Sequence, residues 1–283
     1  MVIYGTIIPG KIQVGGDNKM NRLFLREKDP LDKSSYFPRR KIGIIGLGPG
    51  CGVTSIGTTL AKIASKEEKA KIQYLEIRSP NRDKPLIFDA LGMDKRFLNR
   101  KFIDYYKEVK AGNHIGHLSN KDEGIGWALV TKENVAKKTV LSTRQKIHLI
   151  NNLDYDILIC DLELGNEPWS EIEEEKALLL EMNRLILVID ALPSKLLGNY
   201  PLLQWVKGLA EKDLPVFYIV NKYNKGVQKR DFFDYIKLRP DHFITFLPAE
   251  DFYTCEYNCQ LPHRIKDLRE SLSDFCQNKK VLV

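Results

Sequence analysis

The residues best suited to chemistry lie between Lys41 and Ser55, where the chain reads Lys41-Ile-Gly-Ile-Ile-Gly46-Leu-Gly48-Pro-Gly50-Cys51-Gly52-Val53-Thr54-Ser55. An apolar run ends in closely spaced glycines and passes into a segment with helical patterning. Glycines let a backbone approach a phosphate closely, and the amides at a helix N-terminus, together with the helix dipole, stabilise negative charge. Gly48, Gly50, Cys51, Gly52, Val53, Thr54 and Ser55 are therefore the candidate phosphate-binding residues. A purely structural turn would need fewer glycines.

Two readings of this loop are open. In one it is a dinucleotide fingerprint, with Gly46 and Gly48 as the first two glycines and Glu76 accepting ribose hydroxyls. The third glycine then falls at Cys51, and Glu76 lies farther downstream than the usual spacing of about 20 residues. An NAD(P)-dependent oxidoreductase of this kind would also need a catalytic acid or base in a second domain. His114, His117, His148, His242 and His263 are scattered and offer no convincing candidate.

In the other reading, Gly50 to Ser55 resemble the end of the deviant Walker A loop of the MinD/ParA ATPases, which normally reads Gly-Val-Gly-Lys-Thr-Thr. The resemblance continues through Thr58-Thr59-Leu60-Ala61 and through Tyr155-Asp156-Ile157-Leu158-Ile159-Cys160-Asp161, with Gly165 nearby, which looks like a Walker B strand. Val220-Asn221-Lys222-Tyr223-Asn224 resembles the strand end that presents an asparagine to adenine. Leu247-Pro248-Ala249-Glu250-Asp251, followed by Asn258 and Pro262, is similar to the loop that covers adenine. The matches keep family order from about Lys41 to Cys276.

The resemblance implies a P-loop fold that binds ATP or ADP with Mg²⁺. It assigns Asn221, Lys222 and Pro248 to adenine, the Thr54 hydroxyl to the metal directly and Asp161 to the metal through water. It also exposes what is missing. The family's loop lysine corresponds to Val53 and its signature lysine to Gly48, while the aspartate that organises hydrolysis corresponds to Arg78 and its companion to Glu76. A cation can neither accept a proton from water nor hold Mg²⁺. Charge-assisted contacts contribute about 1.5 to 3 kcal/mol each, so nucleotide binding is expected to be weak or vestigial and hydrolysis slow or absent. Lys222 and Arg78 are candidate sources of replacement charge.

The elements that must position these residues follow from periodicity. From Lys41 onward, short apolar runs alternate with amphipathic stretches, the pattern of an α/β fold in which a mostly parallel twisted sheet carries helices on both faces. Strands are predicted at Lys41–Gly46, Ile72–Ile77, Gly126–Val130, Ile157–Asp161, Leu185–Ala191, Val216–Asn221 and Phe243–Leu247. Helices are predicted at Ser55–Ser65, Lys95–Lys110, Glu171–Met182, Lys195–Ala210 and Pro262–Cys276, the last with Ile265, Leu268, Leu272 and Phe275 at helical spacing. Residues 1–38 stand outside this alternation. Val2–Ile8 and Lys11–Val14, separated by Pro9-Gly10, form a candidate hairpin in an N-terminal arm, leaving 39–283 as the P-loop domain.

At 283 residues and 43% apolar content, the chain can bury a large core. It has no apolar run of about 18 residues and no secretory signal pattern, so a soluble, cytoplasmic protein is expected, with attachment to the inner face of the membrane as a variant of that expectation. The five cysteines form no disulfide framework, and Cys255, Cys259 and His263 make only a weak metal pattern because Pro262 interrupts a helix there. The net charge of +7 is uneven. Residues 1–40 hold eight Lys/Arg against four Asp/Glu, and residues 95–110 six against two. Such patches suit an acidic protein face, a membrane surface or nucleic acid, the last defining a partition-like, nonspecific nucleic-acid-binding alternative.

The resemblance thus implies a localisation or assembly factor, similar to pilus or secretion positioning proteins, with protein partners and a homodimer of the family type. The arm is expected to recognise a partner. Deleting residues 1–38 should leave the thermal melt intact while weakening capture of an acidic partner, most strongly at low salt. Salt titrations of both chain lengths on one partner check this; equal binding throughout would remove the role.

Overall fold

The computed structural model describes residues 39–67, 70–78, 86–163 and 173–282. The N-terminal arm with its candidate hairpin, and Gly165, lie outside the described residues. The first half of the chain forms β1 (Arg40–Gly46), α1 (Val53–Glu67), β2 (Ile72–Ile77), α2 (Ile87–Ala90), α3 (Met93–Arg96), α4 (Tyr105–Lys110), β3 (Lys121–Asp122), β4 (Ile125–Ala128), α5 (Lys132–Ala136) and α6 (Thr143–Asn152). The second half forms β5 (Ile157–Leu162), α7 (Glu173–Leu180), β6 (Arg184–Asp190), α8 (Pro193–Gly198), α9 (Tyr200–Ala210), β7 (Val216–Tyr223), α10 (Lys229–Ile236), β8 (His242–Thr245), α11 (Ala249–Tyr257) and α12 (Lys266–Lys279).

Among the described residues, eight strands make one sheet in the order β3-β4-β2-β5-β1-β6-β7-β8. Every pairing is parallel except β3 with β4. The predicted α/β class is therefore observed. β2 and β5 are buried along their whole length, as strands covered on both faces must be, which fits the apolar run Ile157–Cys160 and leaves Gln73, Glu76 and Asp161 as buried polar side chains. β1 lies between β5 and β6, neither of which is its neighbour in sequence. The chain leaves β1 toward one side of the sheet and later builds the other side from β6, so the loop after β1 opens where connections diverge. Ligands of open α/β sheets bind at such points.

All seven predicted strands are present with bounds shifted by up to two residues. The two-residue β3 has too little pattern to be seen in sequence. Two predicted helices are each broken in two. Lys95–Lys110 divides because the Asp104 carboxylate caps a new helix, accepting the Lys107 amide at 3.0 Å. Lys195–Ala210 divides at Asn199, beside Pro201 in the first turn of α9, where a missing N–H and fixed φ suit a helix start and not its interior. The final helix begins at Lys266, after a 3-10 turn at Pro262–Arg264, packs against α1 and β8, and buries Leu268, Leu272 and Phe275, the last beside Phe217 and His242.

The break in Lys95–Lys110 also redistributes charge. Arg96 pairs with Asp122 and Glu123, each at 2.7 Å, and Arg100 lies 3.6 Å from Asp122. The basic stretch is thus partly neutralised by β3 and the turn after it. Cys255, Cys259 and His263 are not on one helix, since α11 ends at Tyr257 and Cys259 has φ of 52°. Among the described residues, no group of three His, Cys, Asp or Glu side chains is arranged to hold a metal ion.

The closest packing around the site strand is at Gly43 in β1. A Cβ there would lie 2.8 Å from both Leu185 Cδ2 and Met182 Cγ. Gly43→Ala is expected to lower unfolding free energy by about 1 to 3 kcal/mol through overpacking. Urea denaturation measures it; an unchanged midpoint would mean that β6 and Met182 relax freely.

Candidate functional site

The glycine-rich loop leaves β1 at Gly46 and enters α1 at Val53. The Leu47 amide donates to the Val188 carbonyl at 2.8 Å, extending the β1–β6 pairing, and the Ile56 amide donates to Gly52 at 3.0 Å to start the helix. Gly50 and Gly52 have φ of 72° and 94°, values that residues with a Cβ rarely adopt. At Gly52 the requirement is also spatial, since a Cβ would sit 2.4 Å from the Asn221 side-chain nitrogen. Cys51 is buried under the loop, and burial pushes its thiol pKa up despite the hydrogen bond from the Asp190 backbone and the positive charges of Lys195 and Lys222. It is a packing residue, not a reactive thiolate.

On one side the loop meets β5 and β2. The Thr54 hydroxyl donates to Asp161 Oδ2 at 2.7 Å, and the phenol of the fully buried Tyr74 donates to the same oxygen at 2.8 Å. Asp161 is at the carboxyl end of β5, next to β1, with its side chain toward the loop. Thr54 and Asp161 therefore bring two hard oxygens together, a donor set that fits Mg²⁺ better than a softer metal.

Glu76 is in register with Asp161 across the β2–β5 pair and accepts the Val130 amide at 3.0 Å. Burial pushes its carboxyl up to about 8; the charges of Asp161 and Glu163 act in the same direction, against the Val130 amide and Arg78. It is 5% exposed, so it does not reach out as the ribose acceptor that the dinucleotide reading requires. Arg78, also buried, has Nε 3.7 Å from Glu163 Oε2. Its charge faces a carboxylate of the next strand.

On the other side the loop meets β6, α8 and β7. Asn221 Nδ2 donates to the Cys51 carbonyl at 2.8 Å, and Lys222 Nζ donates to the Gly50 carbonyl at 2.6 Å. Lys195 Nζ, from α8, donates to the Pro49 carbonyl at 3.1 Å. Both lysines also approach the buried Asp190 Oδ2, at 2.9 Å for Lys195 and 3.4 Å for Lys222. Burial alone would raise the Asp190 pKa; the Lys195 and Leu192 hydrogen bonds and the two ammonium charges outweigh it, and the pKa is lowered. Pro248 stands apart, as the N-cap of α11 beyond the end of β8.

The residues read from sequence as phosphate- and metal-binding are thus gathered on one loop and the adjacent end of β5. Asn221 and Lys222 reach the same loop. Lys195 and Asp190 were not singled out. Asp190 ends a long apolar run, a signal that could have marked it, whereas Lys195 is one of 44 basic residues and only the fold distinguishes it.

No protein-family model matches the chain, and no curated protein matches it in sequence. Its fold does recur among solved structures. A ParA family ATPase from Chlorobium tepidum superposes with a TM-score of 0.62 at 16% identity, covering 84% of this chain and 99% of that one. A MinC:MinD cell division protein complex from Aquifex aeolicus gives 0.59 at 15% identity, covering 85% and 96%. A candidate plasmid partition protein from Borrelia burgdorferi, bound to AMPPNP, gives 0.59 at 15% identity, covering 83% and 99%. The chain therefore has the fold of the ParA and MinD ATPases over most of its length.

Protonated Glu76 has a consequence for stability. Its folded pKa lies above the unfolded one, so the stability it contributes is fully present below the ordinary carboxylate range and is lost as pH rises through about 8. Wild-type protein should lose melting temperature relative to Glu76→Gln between about pH 5 and about pH 9. Parallel melting profiles for the two proteins would show that Glu76 is ionised throughout.

Proposed function

We propose that the chain is a nucleotide-binding localisation or assembly factor built on the ParA/MinD fold, in which ATP hydrolysis is slow or absent. One observation carries this reading. The glycine-rich loop, Thr54 and Asp161 are assembled at the end of β1, while the positions that match the family's loop and signature lysines hold Val53 and Gly48. The loop can approach a phosphate chain, but it brings no ammonium group of its own.

The ligand proposed is ATP or ADP with Mg²⁺, bound weakly. Gly48, Gly50, Cys51, Gly52, Val53, Thr54 and Ser55 would surround the phosphates. The Thr54 hydroxyl and Asp161 carboxylate would hold the ion, which supplies positive charge to the phosphates when bound. Asn221, Lys222 and Pro248 lie on the side assigned to adenine, with Asn221 first having to exchange its contact to the Cys51 carbonyl. Transfer of a phosphoryl group depends mainly on fixed charges around the transferring group. Arg78, paired with Glu163 where an acid would organise water, supports binding without turnover.

The named neighbours include one bound to AMPPNP and one in complex with MinC. By analogy this chain would act by recruiting a protein partner, as a monomer or homodimer. The basic arm and the exposed part of the 95–110 stretch would favour an acidic protein, a membrane surface or nucleic acid. Among the described residues, no helix is long and apolar enough to cross a membrane, so association with one would be peripheral. The oxidoreductase reading has lost its ribose acceptor with the burial of Glu76.

Steady-state assays should find ATP turnover far below about 1 s⁻¹, the lower end of ordinary enzymatic rates. Val53→Lys should raise nucleotide affinity roughly tenfold while leaving turnover low. Full activity from that single change would sink the role given to Arg78.

A further inference from the structure

The lysines absent from the loop have counterparts elsewhere in the chain. Lys195 comes from α8, just after β6, and Lys222 from the end of β7, and their ammonium groups converge on consecutive loop carbonyls, Pro49 and Gly50. Both also share Asp190 Oδ2. Neutralising this one carboxylate, 3% exposed, takes a single ammonium. The second leaves the cluster with one net positive charge beside the loop. The lysine side chains are 27% and 38% exposed, so solvent and small ions can reach them.

The backbone at Lys222 is shaped for this placement. Lys222 has φ of 58°, in the left-handed region that a residue with a long side chain rarely enters. The β7–β8 pairing shifts register between Val220 and Tyr223, inserting one extra residue on β7. A bulge of this kind re-aims side chains, and here Asn221 and Lys222 both reach the loop. On the loop side, Gly50 has φ of 72°, the left-handed conformation that glycine adopts readily.

We infer that Lys195 and Lys222 are a phosphate-binding pair, supplied by the same chain from the ends of β6 and β7, that serves the loop in place of lysines within it. The ligand class is a polyphosphate anion, either the phosphate chain of a nucleotide or free pyrophosphate. The inference rests on the nucleotide-binding reading only for the first of these sources. An anion at the loop mouth exchanges the ammonium contacts to the Pro49 and Gly50 carbonyls for stronger charge-assisted ones. Because both cations belong to the chain that owns the loop, binding needs no second copy.

Calorimetric titration with pyrophosphate, Mg-ADP and Mg-ATP tests the pair, using wild type, Asp190→Asn, Lys195→Met/Lys222→Met and the triple variant Asp190→Asn/Lys195→Met/Lys222→Met. The triple variant removes the pair without stranding a buried carboxylate, so it keeps the test usable if the double variant does not fold. Loss of each lysine is expected to weaken anion binding roughly tenfold. Asp190→Asn, which frees both ammoniums, should bind pyrophosphate at least as tightly as wild type, and affinities should not depend on protein concentration. Equal affinity of wild type and triple variant, or weaker pyrophosphate binding by Asp190→Asn, overturns the proposal and assigns the lysines to holding the loop's shape. Pyrophosphate binding without nucleotide binding by wild type supports the lysine pair and defeats the nucleotide reading. Binding of neither defeats both.

Discussion

The arrangement of the site depends on a buried carboxylate that must be neutralised. Asp190 ends β6 at 3% exposure, and an uncompensated charge at such a position costs several kcal/mol. Its partners, Lys195 and Lys222, come from the helix after its own strand and from the neighbouring strand. Both bind the carbonyls of Pro49 and Gly50 as well. Meeting one electrostatic requirement therefore ties β6, α8, β7 and the glycine-rich loop into one unit. Asp161 does the same on the opposite flank, through the Thr54 hydroxyl and the Tyr74 phenol. The loop hangs between two aspartates, one on each strand beside β1.

This suspension separates two tasks that a loop lysine would combine. Approach of a phosphate requires only glycines and amides, which the loop has. Stabilising charge during transfer requires cations and acids fixed where charge develops. Near the second task stand Glu76, held protonated by burial into the neutral range, and Arg78, set against Glu163. Both are buried. On the function proposed above, the loop would hold an anion while Glu76 and Arg78 stay engaged with the Val130 amide and Glu163.

Surface charge follows the same logic of local pairing. The stretch from Lys95 to Lys110 would present a basic face as one continuous helix. Divided at Asp104, it turns Arg96 and Arg100 toward Asp122 and Glu123 and leaves a smaller basic surface. A partner attracted by charge would therefore meet less of this stretch than its composition implies.

The sequence by itself determined where most sheet strands lie along the chain, because β5 and β6 are buried on both faces and show it as continuous apolar runs that end in Asp161 and Asp190. It also determined the loop, since φ values such as those of Gly50 and Gly52 restrict those positions to glycine. Helix continuity was less legible: Asp104 and Pro201 act as starts only once the surrounding chain has turned, and helical spacing alone runs straight through them. The cations of the site were decided by tertiary structure. Lys195 and Lys222 lie 146 and 172 residues from the carbonyls they bind; the motif around Asn221 marked Lys222, but no local pattern sets Lys195 apart from other lysines or pairs the two. Parallel pairing of β6 with β7, a bulge at Lys222 and the burial of Asp190 bring them together, and each of these arises from contacts between segments distant in sequence.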